Sequence, residues 1–236
     1  MQRRRSLVET EPVRLQWPGV QGDSRMNISA VQTRAKPRKG RKYDQVLDGA
    51  REVFLVAGFE GASVDDIARA AGVSKATLYS YFPDKRLMFT EMAERECGRQ
   101  AAAALQVIDM SAPPAQVLRL AAGRLIRIML SDFAQRIFRV CVAEADRFPE
   151  LGRAFYDSGP ALGRARIMDY LAQAAARGEV AIDDLELAAD QFAELCKADL
   201  WTRAVFGIQS RFSDAEIERV IDGAVATFLA RYGTAR

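Results

Sequence analysis

Between Tyr43 and Asp84 the chain alternates apolar stripes of helical period with residues that stop or start a helix. Nothing else in its 236 residues constrains the fold as tightly. Tyr43, Val46, Leu47, Ala50, Val53, Phe54 and Ala57 recur every three or four residues, which makes one stripe along a helix. Gly58 follows where a residue of positive φ ends a helix, and Phe59 where an apolar side chain folds back on the last turn. Ser63 is placed to cap a second helix, with Asp65 and Asp66 in its first turn, where carboxylates suit the helix dipole. Val64, Ile67, Ala68 and Ala71 form the inner face of that helix. Gly72 supplies a tight turn, and Ser74 caps a third, short helix through about Tyr81. Pro83 ends it, and Asp84 caps a long fourth helix.

A helix, a glycine-containing turn and a second helix within some twenty residues have helix-turn-helix geometry. In that geometry the second helix lies in the DNA major groove. Its expected exposed residues are Lys75, Thr77, Tyr79 and Tyr81, a cation, a hydroxyl and two phenols able to meet phosphates, base edges and thymine methyls. Leu78 and Phe82 are expected to point inward. Lys85 stands at the start of the fourth helix, a poor place for the dipole but a good one beside a phosphate. A helical trio of this kind can also be a plain packing unit, and charge separates the two readings. Residues 1–42 hold eleven Arg/Lys against three acids, a net +8, which leaves −5 on the remaining 194 residues. A basic arm on a mildly acidic body is the pattern of a polyanion binder. Residues 1–36 show no periodicity and are broken by Pro12, Pro18, Gly19 and Gly22, so they read as a disordered basic extension. Met26, inside this stretch, raises the hypothesis that translation starts there and that residues 1–25 are an upstream artefact.

The chain contains no histidine. Ser-His-Asp and Cys-His catalysis and histidine-based metal sites are therefore absent. Neither common phosphate loop occurs, so no catalytic residue, metal or cofactor is expected. Carboxylate chemistry at residues such as Glu144 and Asp146 is the remaining enzymatic alternative. Cys97, Cys141 and Cys196 are far apart and form no C-x-x-C pair. With no secretory signal in view they read as reduced thiols of a cytoplasmic protein, Cys141 and Cys196 buried and Cys97 exposed. No uncharged run exceeds nine residues, well short of the ~20 that a membrane helix needs.

Residues 58–89, GFEGASVDDIARAAGVSKATLYSYFPDKRLMF, closely resemble the DNA-binding domain of the TetR/AcrR family, and the match runs back to about residue 42. The resemblance implies an all-α fold, with an N-terminal three-helix helix-turn-helix domain and a C-terminal helical bundle that dimerises and holds a small-molecule effector. Carried over by position, it makes Lys75, Thr77, Tyr79 and Tyr81 the recognition contacts, with Lys85 on the DNA backbone. Ser63 both caps its helix and approaches a phosphate, Ser74 opens the recognition helix, and Arg41 and Lys42, with Arg38 and Lys39, reach the adjacent groove or backbone. Two departures stand out: Ala62, where the family often has a phosphate-touching threonine, and Ala76, where glycine is common. Residues 138–163, 176–192 and 199–207 look like the AefR-type C-terminal subgroup.

In the C-terminal part, helices are expected at about 84–108, 113–131, 133–146, 150–177, 185–207 and 213–232, a bundle of about six. Asp183 or Asp184 would cap the fifth of these, and Ser213 with Glu216 would form a capping box on the last. The apolar excess of the last two points to an isologous dimer interface through Trp201, Val205, Ile217, Ile221 and Phe228. Met129, Phe133, Phe138, Cys141, Phe155, Tyr156, Phe192 and Trp201 are expected to line an effector pocket suited to an apolar or amphipathic ligand. Arg139 and Glu144 are charges on an otherwise apolar helix, there to be paired or to meet solvent. The expected organisation is thus a basic extension over 1–36, a DNA-binding domain over 37–83 and an effector-binding, dimerising bundle over 84–236. The expected function is a ligand-responsive homodimeric repressor that releases a palindromic double-stranded operator. A DNA-organising protein without an effector is the alternative.

Overall fold

The computed structural model describes residues 40–105 and 109–234, the side chains of 101–105 excepted. The expected N-terminal extension, with Met26, Arg38 and Lys39, lies outside the described residues. Within them the chain forms α1 (Arg41–Gly61), α2 (Val64–Ala70), α3 (Lys75–Tyr81), α4 (Lys85–Leu105), α5 (Pro114–Met129), α6 (Asp132–Ala143), α7 (Pro149–Ser158), α8 (Pro160–Ala176), α9 (Leu185–Leu195), α10 (Leu200–Val205) and α11 (Asp214–Tyr232).

Local chemistry sets most of the boundaries. Orphan amides at helix starts need an acceptor, and short polar side chains supply it. Ser63 Oγ accepts from the Asp66 amide at 3.0 Å and Ser74 Oγ from that of Thr77 at 3.1 Å. Asp84 and Asp184 each accept from the amide three residues on at 2.9 Å. Ser213 and Glu216 form the reciprocal capping box. Helices α5, α7 and α8 begin on Pro114, Pro149 and Pro160, where the missing N–H leaves no helical bond unmade. Gly58 (φ 72°) and Gly72 (φ 63°) take the left-handed conformation at the break in α1 and in the α2–α3 turn.

Two of the expected long helices are each broken in two, so among the described residues eight helices follow residue 84 where about six were expected. The first break is at Gly159-Pro160, because proline has no N–H for the ladder and excludes helical geometry from the residue before it. The second is at 196–199, where Asp199 holds φ 61°. No glycine or proline marks that site. The turn is stabilised by Arg203, whose Nη1 lies 2.9 Å from Asp199 Oδ2, and by Arg219 at 3.8 Å.

The apolar stripes close into two cores. The first gathers Phe54, Phe59, Leu78, Phe82, Phe89 and Met92 with Phe133, Ile137 and Leu151, so α1–α4 share one interior with α6 and α7. The second joins α5 to α8–α11 around Leu118, Ile126, Leu171, Phe192, Ile221 and Phe228. At roughly 1.5–3 kcal/mol for each fully buried large apolar side chain, these interiors rather than helix propensity hold the molecule together. The end of α11 is pinned by Ala181 N–H donating to Tyr232 O at 2.8 Å.

Candidate nucleic-acid interface

Helix α3 is seated by Leu78 and Phe82, which are 0% and 1% exposed. Beneath it α1 and α2 touch at Gly49, where an added Cβ would lie 2.6 Å from the Ala71 nitrogen. That close approach fixes the angle at which α2, and hence α3, leaves the core. The outward face of α3 carries Lys75, Ala76, Tyr79 and Ser80. Thr77 and Tyr81, expected to share that face, do not. Thr77 is half-buried with Oγ1 2.9 Å from Ser74 Oγ, and Tyr81 packs edge-on to Tyr43 with ring centroids 5.8 Å apart. The reason is geometric: residues two apart on a helix are about 200° apart, so 75, 77, 79 and 81 cannot form one face. The period that identified the helix should have named Ala76 and Ser80 instead.

Charge around α3 is paired within the protein. Lys75 forms an ion pair with Asp65 of α2. Arg69 Nη1 lies 2.6 Å from Asp66 Oδ1, and Ser63 Oγ donates to Asp66 Oδ2 at 2.6 Å. The bonds from Ser63 and Arg69 hold the Asp66 carboxyl below the ordinary range. Arg41 and Lys42 stand exposed at the start of α1, after Gly40, which gives that helix no side-chain cap.

Lys85, expected beside a DNA phosphate, is engaged within the protein in this structure. Its Nζ donates to the carbonyls of Glu60 and Ala62, each at 3.3 Å, and sits 4.6 Å from the centre of the Phe59 ring. The cation that conflicts with the α4 dipole thus closes the open carbonyls at the end of α1. The α6–α7 corner joins it there. Phe148 meets Phe59 edge-on at 5.6 Å, under the guanidiniums of Arg86 and Arg147 at 5.5 and 5.0 Å. Arg147 pairs with Glu60 at 2.7 Å and Arg86 with Glu150 at 3.3 Å. Helices α1–α3 are bolted to the bundle at this corner.

Of the residues expected to line one effector pocket, the structure brings together Phe138, Phe155 and Trp201, with Phe138 6.1 Å from Phe155 and 4.9 Å from Trp201. Arg139 supports them by donating to the Ala204 and Val205 carbonyls at 3.3 and 3.2 Å. The others are elsewhere. Phe133 and Cys141 belong to the first core, Phe192 and the flanking Met129 to the second, and Tyr156 faces outward with its hydroxyl accepting from Arg164 at 3.1 Å. Apolar character alone did not show which of these side chains share a neighbourhood. Among the expected dimer residues, Ile217, Ile221 and Phe228 are 8%, 2% and 1% exposed, consumed by the chain's own core, while Trp201 and Val205 are half-buried. Leu187 in the first turn of α9, and Phe206 and Ile208 after α10, are exposed apolar side chains. A groove of about 620 Å³ runs between α9 and α11, lined by Leu187, Gln191, Leu195, Phe228 and Tyr232. Cys97, expected to be exposed, is half-buried, and burial pushes its thiol up. Burial pushes Cys141 and Cys196 up to about 12.

Among the described residues no cluster of three or more candidate metal ligands occurs, and no helix is long and apolar enough to cross a membrane. Residues 46–92 match the bacterial regulatory proteins of the tetR family, and residues 116–234 match the AefR-like transcriptional repressor C-terminal domain. The structure is similar to that of the flavonoid-responsive regulator FrrA, with 35% identity, a TM-score of 0.72, and 84% of this chain and all of that one covered. It is likewise similar to a TetR-family regulator from Mesorhizobium loti, with 30% identity, a TM-score of 0.72, and 82% and 98% covered. The repressor AcnR of Corynebacterium efficiens is 35% identical over 72 residues, which span 30% of this chain and only 37% of that protein. The helix-turn-helix seated on α1, the bundle bolted to it and these matches over both parts lead to one conclusion: the chain belongs to the TetR family of DNA-binding transcriptional regulators, with an AefR-like C-terminal domain.

Proposed function

We propose that the protein is a ligand-responsive homodimeric repressor that inserts α3 into the major groove of a palindromic operator. The observation that carries this reading is the outward face of α3, with Lys75, Tyr79 and Ser80 exposed while Leu78 and Phe82 anchor the helix. Arg41 and Lys42 extend the basic surface toward the DNA backbone. Residues 37–83 are the DNA-reading part and 84–236 the responding part. A dimer joined through α9–α11 sets the two recognition helices about 34–36 Å apart, one turn of the duplex.

The effector is an aromatic, amphipathic small molecule held against Phe138, Phe155 and Trp201. The aromatic edges there suit a flat ligand, and the name of the flavonoid-responsive neighbour supports that class. Ligand bound at this end of α6 acts on the DNA-reading part through the α6–α7 corner. A coupling of about 1–3 kcal/mol changes operator affinity roughly 5–150-fold.

A footprint on the DNA upstream of the protein's own gene, at two salt concentrations, tests the DNA arm. A protected palindrome lost at the higher salt is expected. Diffuse protection without sequence preference would favour the DNA-organising alternative. A thermal-shift panel of flavonoids and simple phenols tests the ligand arm, and no stabilisation by any member would sink it.

A further inference from the structure

We propose that Asp65 is a specificity-determining residue that restrains Lys75, so that the cation of the recognition helix engages phosphate at the operator but not on arbitrary DNA. The proposal rests on the DNA-binding reading above. Lys75 is the sole cation between Ser74 and Phe82, so it carries the positive charge of α3. In the free protein it is neutralised by Asp65 across the α2–α3 turn. Asp65 does not cap α2: Ser63 does that, and Asp66 is occupied by Ser63 and Arg69. Both members of the Lys75–Asp65 pair keep more than half of their side-chain surface in solvent. Such a pair is weak enough for a well-placed phosphate to displace, yet it opposes a loosely placed one.

On arbitrary DNA, Tyr79 and Ser80 find no matching base edges, α3 is not held in register, and Lys75 stays on Asp65. At the operator those contacts fix the helix, and Lys75 exchanges the carboxylate for a phosphate. Asp65 thereby lowers non-specific affinity more than specific affinity.

The test is a double-mutant cycle, Asp65→Asn and Lys75→Gln, read by salt titration on two duplexes. One duplex has arbitrary sequence, and the other is selected by the wild-type protein from random DNA. On arbitrary DNA, Asp65→Asn is expected to tighten binding about 3–10-fold at low salt and to steepen the log–log salt slope by about one phosphate contact. On the selected duplex the slope is expected to stay unchanged, with a gain under about 3-fold. In the Lys75→Gln background the gain from Asp65→Asn is expected to vanish. An equal gain in that background would mean simple removal of a negative charge and would overturn the proposal, as would an equal change of slope on both duplexes. A wild-type protein that selects no sequence from random DNA and does not bind the arbitrary duplex would instead remove the DNA-binding reading itself, and this proposal with it. Melting curves of all variants are expected to lie within a few degrees of the wild type, because the pair is exposed and the Ser63 cap remains, so that Asp65→Asn loses only the small helix-dipole contribution of its charge.

Discussion

Two lysines of opposite fate show how chemistry is decided at single residues. Lys75 is exposed and ion-paired at the surface, whereas Lys85 is half-buried over a ring and donates to two carbonyls. Lys85→Ala is therefore expected to cost about 1–2 kcal/mol of stability in urea unfolding. Lys75→Ala should cost under about 0.5 kcal/mol and act on DNA binding alone. Equal effects of the two on stability would contradict this division. The cysteines are expected to react slowly for a related reason: burial pushes all three thiols up, which disfavours thiolate near neutral pH. A thiol-reactive disulfide reagent at pH 8 is expected to label the native protein slowly and the unfolded protein at all three sites. Rapid native labelling would point to an accessible redox centre.

Elements meet where residues leave room or supply caps. The α1–α2 crossing depends on Gly49, so Gly49→Ala is expected to destabilise by about 1–3 kcal/mol through overpacking against the Ala71 backbone, read as a lowered Tm. At α11 the Ser213 amide and hydroxyl hold Glu216 down to about 2, against an ordinary value near 4.5. A carboxyl whose folded-state pKa is depressed adds stability above its unfolded value, and that stability is lost as pH falls toward the folded one. Wild-type stability is thus expected to drop between about pH 4.5 and pH 2, and Glu216→Gln to flatten that part of the curve. Urea midpoints at pH 6 and pH 3 for both proteins check the sign.

At the scale of the whole molecule, the interior does not stop where the DNA-reading residues stop. Phe54 and Phe59 pack on Phe89, and Phe59 on Phe148, so α1–α3 lean on α4 and the α6–α7 corner. A fragment ending at residue 83 exposes that surface and is expected to lack a cooperative thermal transition. Far-UV circular dichroism on heating tests this, and a sharp melt of the fragment would show that α1–α3 suffice by themselves.

The sequence by itself determined the helical class, the helix-turn-helix register and most helix boundaries. Serine and aspartate caps, proline starts and the period of apolar residues act over three or four positions, and these are visible in the chain. Ser63, Ser74, Asp84, Ser213 and Pro149 all behave as their local chemistry requires. Only the tertiary structure decided that Lys85 serves a helix end, that Asp65 pairs with Lys75, and that α9 and α10 separate at a strained Asp199. It also decided that Ile221 and Phe228 fill the chain's own core, while Phe138 and Trp201 meet in an aromatic cluster. The partners of Lys75, Lys85 and Phe138 (Asp65, Ala62 and Trp201) lie 10, 23 and 63 positions away, and an apolar or charged residue does not carry the identity of its distant partner in its own neighbourhood.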